Sequence, residues 1–107
     1  MQGIYLKFFV HENHRHQGRL VYEWLIDHAK TLNIHGGSAY RAIAGYGRDS
    51  VVHQATFLEL QGDLSVEVGF VLDEEKCAHF LALIEREKLS LFYIKHNVEY
   101  GTINPTL

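Results

Sequence analysis

Apolar and polar positions alternate from the first residues. Ile4, Leu6, Phe8 and Val10 fall on one side of an extended chain and Tyr5, Lys7 and Phe9 on the other, so Gly3 to Val10 reads as a strand with one wholly apolar face and one nearly so. Both faces then need cover. His11 to Gln17 is polar and reads as a loop, after which Gly18 to Asn33 carries Leu20, Val21, Trp24, Leu25, His28, Ala29 and Leu32 at helical spacing. Asn33 and Gly36-Gly37 are stop signals. A second strand is expected from Ser38 to Tyr46, ending at Gly45-Tyr46-Gly47, where glycine permits backbone conformations that other residues avoid. Gly47 to His53 is the best candidate for a mobile loop. Ala55 to Leu60 resumes the pattern, Gln61-Gly62-Asp63 breaks it, and Val66, Val68, Phe70 and Leu72 form the core face of a strand over Ser65 to Leu72. Asp73 is a helix N-cap, with Glu74 and Glu75 placed against the positive end of the helix dipole. Cys77, Phe80, Leu81 and Ile84 give that helix its stripe, Glu85-Arg86-Glu87-Lys88 closes it, and Leu89 to Val98 reads as the last strand before a tail at 99–107.

The resulting order is β-α-β-β-α-β, the ferredoxin-like α+β arrangement of a four-stranded antiparallel sheet with two helices on one face. The second face must meet solvent or a partner. Tyr5, Phe9, Val71 and either Phe92 or Tyr93 furnish it, and that much apolar surface on a small domain predicts a homo-oligomer packed sheet against sheet. A monomer with a few exposed aromatics is the alternative. No linker, tandem repeat or low-complexity stretch interrupts the 107 residues, which suit one domain.

Composition narrows the function classes. Lys and Arg number 10 against 13 Asp and Glu, for a net charge of -3, which argues against a nucleic-acid binder working through a general basic surface. Eight His make that balance soft, because their protonation would reverse its sign. The single Cys, Cys77, excludes an internal disulfide framework and suits a reducing cytoplasm. The apolar N-terminal run is interrupted by Lys7, is too short for a membrane span and lacks the basic n-region and small-residue cleavage site of an export signal, so a cytoplasmic protein without membrane insertion is expected.

The run Gly36-Gly37-Ser38-Ala39-Tyr40-Arg41-Ala42-Ile43-Ala44-Gly45-Tyr46-Gly47, with Arg48 following, resembles the second strand and T-loop base of the nitrogen-regulatory PII proteins. It is closer still to domain-of-unknown-function family 190, a PII-like group. His11-Glu12, Gly18-Arg19-Leu20-Val21-Tyr22-Glu23, Arg41 and Leu60-Gln61-Gly62-Asp63-Leu64 fit the same pattern, so the likeness spans about residues 3 to 98. The resemblance implies a homotrimer whose intersubunit clefts take a small anionic effector, adenine nucleotides being the ligands of PII itself. It also implies a T-loop, here about 46–54, that changes conformation with ligand and contacts a protein target. Family members are frequently encoded beside a fluoride channel of the CrcB type, which points to a membrane channel or transporter as partner in ion homeostasis. Two departures stand out. Arg86-Glu87-Lys88-Leu89-Ser90 replaces the glycine-rich B-loop that cradles phosphates in PII, and the T-loop is short and lacks the tyrosine uridylylated in some PII proteins.

Individual residues carry competing readings. Arg48, after two glycines at a loop base, suits a phosphate or carboxylate, or is a solvated arginine. Arg41, among small residues in a strand, needs either a ligand or a carboxylate, Glu12 or Glu59. With Gly45, Tyr46 and Gly47 these two arginines form the candidate ligand-binding set. His11, His14 and His16 form a candidate transition-metal cluster, which would make the chain a metal-responsive trimer of the CutA-type fold; a polar loop is the simpler reading. His28 and His79 read as packing or hydrogen-bonded residues and not as ligands, and His53 as a pH-sensitive loop contact. No nucleophile lies beside a base in a recognisable motif, and Cys77 sits on a buried stripe, so binding without turnover is expected, with no required cofactor. A small enzyme with its pocket between sheet and helices is the remaining alternative.

Overall fold

The computed structural model describes residues 1–45 and 64–106. Its elements are β1 (Gln2–His11), β2 (Arg15–His16), β3 (Arg19–Leu20), α1 (Val21–Thr31), β4 (Gly37–Arg41), β5 (Ser65–Leu72), α2 (Glu74–Arg86) and β6 (Phe92–Glu99). Four strands form one sheet in the order β4-β5-β1-β6, every neighbouring pair antiparallel. This is the expected ferredoxin-like order, in which each helix connects strands that are not neighbours.

Register sorts the two faces. Leu6 pairs with Phe70 and Phe8 with Val68, which places the alternating apolar residues of β1 and β5 together beneath the helices. Ile4, Leu6, Phe8, Val10, Val66, Val68, Phe70 and Leu72 are all buried, against Val21, Trp24 and Leu25 of α1 and Cys77, Phe80 and Ile84 of α2. At the centre Phe8, Phe70 and Phe80 meet edge to face, with ring centroids 5.4 to 6.4 Å apart, the arrangement their quadrupoles favour. Burying one such side chain contributes about 1.5–3 kcal/mol. Gly37 is required beside this cluster, since a Cβ there would lie 2.4 Å from the Phe70 ring.

The same register decides the second face. Phe92 pairs with Phe9 and Tyr93 with Phe8, so Phe92 belongs to the uncovered side and Tyr93 to the helix side. Val71, Phe92 and Ile94 on the uncovered side remain about 40% exposed.

Several boundaries differ from those the sequence predicts. The first helix begins at Val21 and not Gly18, because Arg15–His16 and Arg19–Leu20 close a hairpin around Gln17 and Gly18. Both turn residues have positive φ, 53° and 82°, the geometry of a two-residue primed turn. Arg19 of that hairpin bonds Asp27 of α1 and holds its carboxyl below the usual aspartate range. The second strand ends at Arg41 and not Tyr46. Its partner β5 begins at Ser65, which accepts the last bond from Ala42 N–H, so the ladder runs out there. The last strand starts at Phe92 and not Leu89, after a turn in which Lys88 takes φ 59°. The second helix follows its sequence signals: Asp73 Oδ1 accepts the Lys76 N–H at 2.7 Å, as an N-cap does. The expected strand at Ala55 to Leu60, the mobile loop from Gly47 and the T-loop at about 46–54 lie outside the described residues.

Candidate functional site

Chain segments converge at one end of the sheet. β1 ends at His11, and Glu12 beyond it donates its N–H to the Leu64 carbonyl at 2.8 Å, while the Leu64 N–H points back at Glu12 Oε1 at 3.5 Å. Arg41, the last residue of β4, reaches the same carboxylate at two points: Nε to Oε2 at 2.7 Å and Nη2 to Oε1 at 3.2 Å. This is the fork geometry in which an arginine binds a carboxylate most specifically. Glu12 thereby joins the end of β1, the end of β4 and the approach to β5.

Arg41 is not embedded, as its small neighbours in the sequence suggest. Its side chain is 59% exposed, whereas that of Glu12 is 15% exposed. Among the described residues β4 pairs only with β5, at one end of the strand order, and all five of its residues are exposed. Of the two carboxylates named as its partner, Glu12 takes the role; Glu59 lies outside the described residues. Gly45 is exposed with open space around its Cα, and among the described glycines only Gly18 has a left-handed φ, so the backbone freedom expected at Gly45 is not used. Tyr46, Gly47 and Arg48 lie outside the described residues, so no geometry joins them to Arg41.

The three clustered histidines are not drawn together. Among the described residues no three His, Cys, Asp or Glu side chains converge as a metal site. His16 has another role, donating from Nε2 to Glu87 Oε1 at 2.9 Å while its ring meets Trp24 edge-on at 5.6 Å. His28 lies against the other part of the same system: its ring centroid is 4.0 Å from that of Trp24, and its Nδ1–H donates to the Trp24 carbonyl. The packing reading of His28 therefore stands, but His79 is exposed. The contact from His16 to Glu87 ties the hairpin to the end of α2, and the sequence offers no local signal for it across 71 positions.

A cleft of about 330 Å³ lies between α2 and β6, lined by Ile4, Glu74, Cys77, Ala78, Lys95, His96 and Asn97. Cys77 is buried there, and burial pushes its thiol pKa up, the opposite of what a nucleophilic cysteine needs. Among the described residues no helix is long and apolar enough to cross a membrane.

The family model of DUF190, described as Uncharacterized ACR, COG1993, matches residues 3–99. The chain belongs to this family. A UPF0166 protein of Aquifex aeolicus (strain VF5) is 32% identical over 80 residues, covering 75% of this chain and 76% of that protein. The fold is PII-like. CPII of Thiomonas intermedia K12 bound to ADP and bicarbonate superposes with a TM-score of 0.68 at 16% identity, over 95% of this chain and 91% of CPII. The same protein, a nitrogen regulatory PII-like protein, bound to ADP, AMP and bicarbonate gives 0.66 at 14%, over 96% and 97%.

Proposed function

We propose that this DUF190 chain is a PII-like regulatory module that binds a small anionic effector without turning it over. The effector class is an adenine nucleotide, held in clefts between the subunits of a homotrimer near Arg41, Gly45, Tyr46, Gly47 and Arg48. The observation that carries the reading is Arg41, a guanidinium fixed in direction by Glu12 yet mostly open to solvent at the end of β4. Glu12 engages Nε and Nη2, so in this reading the ligand's phosphate or carboxylate meets the exposed remainder of the guanidinium or takes the place of Glu12. CPII, which shares the fold, binds adenine nucleotides together with bicarbonate, and this supports the ligand class. The uncovered sheet face, with Val71, Phe92 and Ile94 exposed, supports assembly.

Regulation follows if the ligand binds two states of the segment at about 46–54 unequally, and so alters affinity for a protein partner. A cytoplasmic location and a membrane channel or transporter in ion homeostasis as that partner complete the proposal. Calorimetry with AMP, ADP, ATP and cyclic nucleotides tests it, alongside Arg48→Ala and Arg41→Ala. Saturable binding weakened in both variants is the expected result. Absence of binding by every nucleotide removes the nucleotide reading.

A further inference from the structure

The uncovered sheet face is not uniformly apolar. Its two central strands present Tyr5, Lys7 and Phe9 from β1 and Glu67, Gly69 and Val71 from β5. The two charges in this set meet each other, with Lys7 Nζ 3.1 Å from Glu67 Oε1. Lys7 is also held between rings, its ammonium 5.6 Å from the centroid of Tyr5 and 5.7 Å from that of Phe9. Already 24% and 39% exposed in the single chain, the pair would lose its remaining water if the face were covered.

An ion pair at a solvated surface contributes little to stability, and one buried among apolar groups is often less stabilising than hydrophobic residues of the same volume. Once covered, such a pair is better suited to selecting a geometry than to strengthening one. Lys7 and Glu67 neutralise each other on the two central strands, so a second copy of the chain can cover these strands without a countercharge from elsewhere. Any register that brings Lys7 against Lys7, or Glu67 against Glu67, is penalised by like charge in a dry interface.

We propose that the Lys7–Glu67 pair fixes the register and subunit number of the assembly in which copies of this chain pack their uncovered sheet faces together, much as one buried polar residue fixes the register of a coiled coil. The proposal rests on the oligomeric reading above and adds which residues select its geometry.

Native mass spectrometry and light scattering on the full chain test it, using the wild type, Lys7→Met, the double variant Lys7→Met/Glu67→Leu and the charge swap Lys7→Glu/Glu67→Lys, with circular dichroism to verify folding. The wild type should show one subunit number. Lys7→Met should weaken assembly at least about tenfold, or about 1.4 kcal/mol, because Glu67 is left unpaired in the interface. The double variant should assemble again but as a mixture of subunit numbers, and the swap should restore a single one. If all four form the same uniform oligomer with equal dissociation constants, the selection role is overturned while the assembly stands. A wild type that is monomeric at every concentration overturns both.

Discussion

Arg41 grips Glu12 at two points, across 29 positions of sequence, from the end of one strand to the residue just past the end of another that is not its neighbour in the sheet. The two residues are unequally placed, since the carboxylate is mostly covered and the guanidinium mostly exposed. Removing the arginine should therefore cost more than removing the carboxylate. Arg41→Ala leaves the mostly covered Glu12 carboxylate without its fork, for about 1–2 kcal/mol. Glu12→Ala leaves a guanidinium that water already solvates, for about 0.5–1 kcal/mol. Urea denaturation of both variants and their double mutant checks this: the double should cost less than the sum of the singles.

The hairpin turn makes a different demand. Gly18 has φ 82° and nothing within 4 Å of a Cβ placed on it, so an added methyl group meets no neighbour, and any cost comes from the backbone conformation. Gly18→Ala should destabilise by about 1 kcal/mol or more. Gly36→Ala, where the space is equally open and φ is not left-handed, should stay within about 0.5 kcal/mol of the wild type. Equal midpoints for the two variants in urea would count against the turn geometry.

The contrast between these sites indicates what a sequence can and cannot carry. Local signals were sufficient wherever neighbours in the chain determine the outcome. The alternation of Val66, Val68, Phe70 and Leu72 named a core face, and Asp73 named a cap that the Lys76 N–H occupies. The Gln17-Gly18 turn has little local signal, because Gln is an unusual first residue for a primed turn and the flanking strands are two residues each. Phe92 and Tyr93 were indistinguishable until pairing with β1 fixed the register. Small residues surround Arg41 in the chain and suggest an embedded side chain, whereas it is 59% exposed at the end of β4. Glu12 was one of two named partners, while the contact of His16 with Glu87 and that of Lys7 with Glu67 depend wholly on tertiary placement. Of the candidate ligand set, only Arg41 and Gly45 fall on described residues.

Cys77 supplies a prediction with a definite sign. Burial raises its thiol pKa above the ordinary value, so the folded chain holds the neutral thiol more firmly than the unfolded chain does. Its contribution to stability is complete below the ordinary thiol pKa and declines as pH rises from there to the raised value, since only the unfolded state has ionised. Unfolding midpoints should fall across that alkaline interval. Modification by a thiol reagent at neutral pH should be at least about tenfold slower in the native protein than in urea. Equal rates in the two states would contradict the buried placement.

The central claim joins assembly to ligand binding, and native mass spectrometry with added AMP or ADP reads both in one spectrum. The predicted result is a species of three chain masses that gains discrete nucleotide increments, up to one per intersubunit cleft, with the increments reduced in Arg41→Ala. A single-chain mass that takes up no nucleotide at any concentration would contradict it.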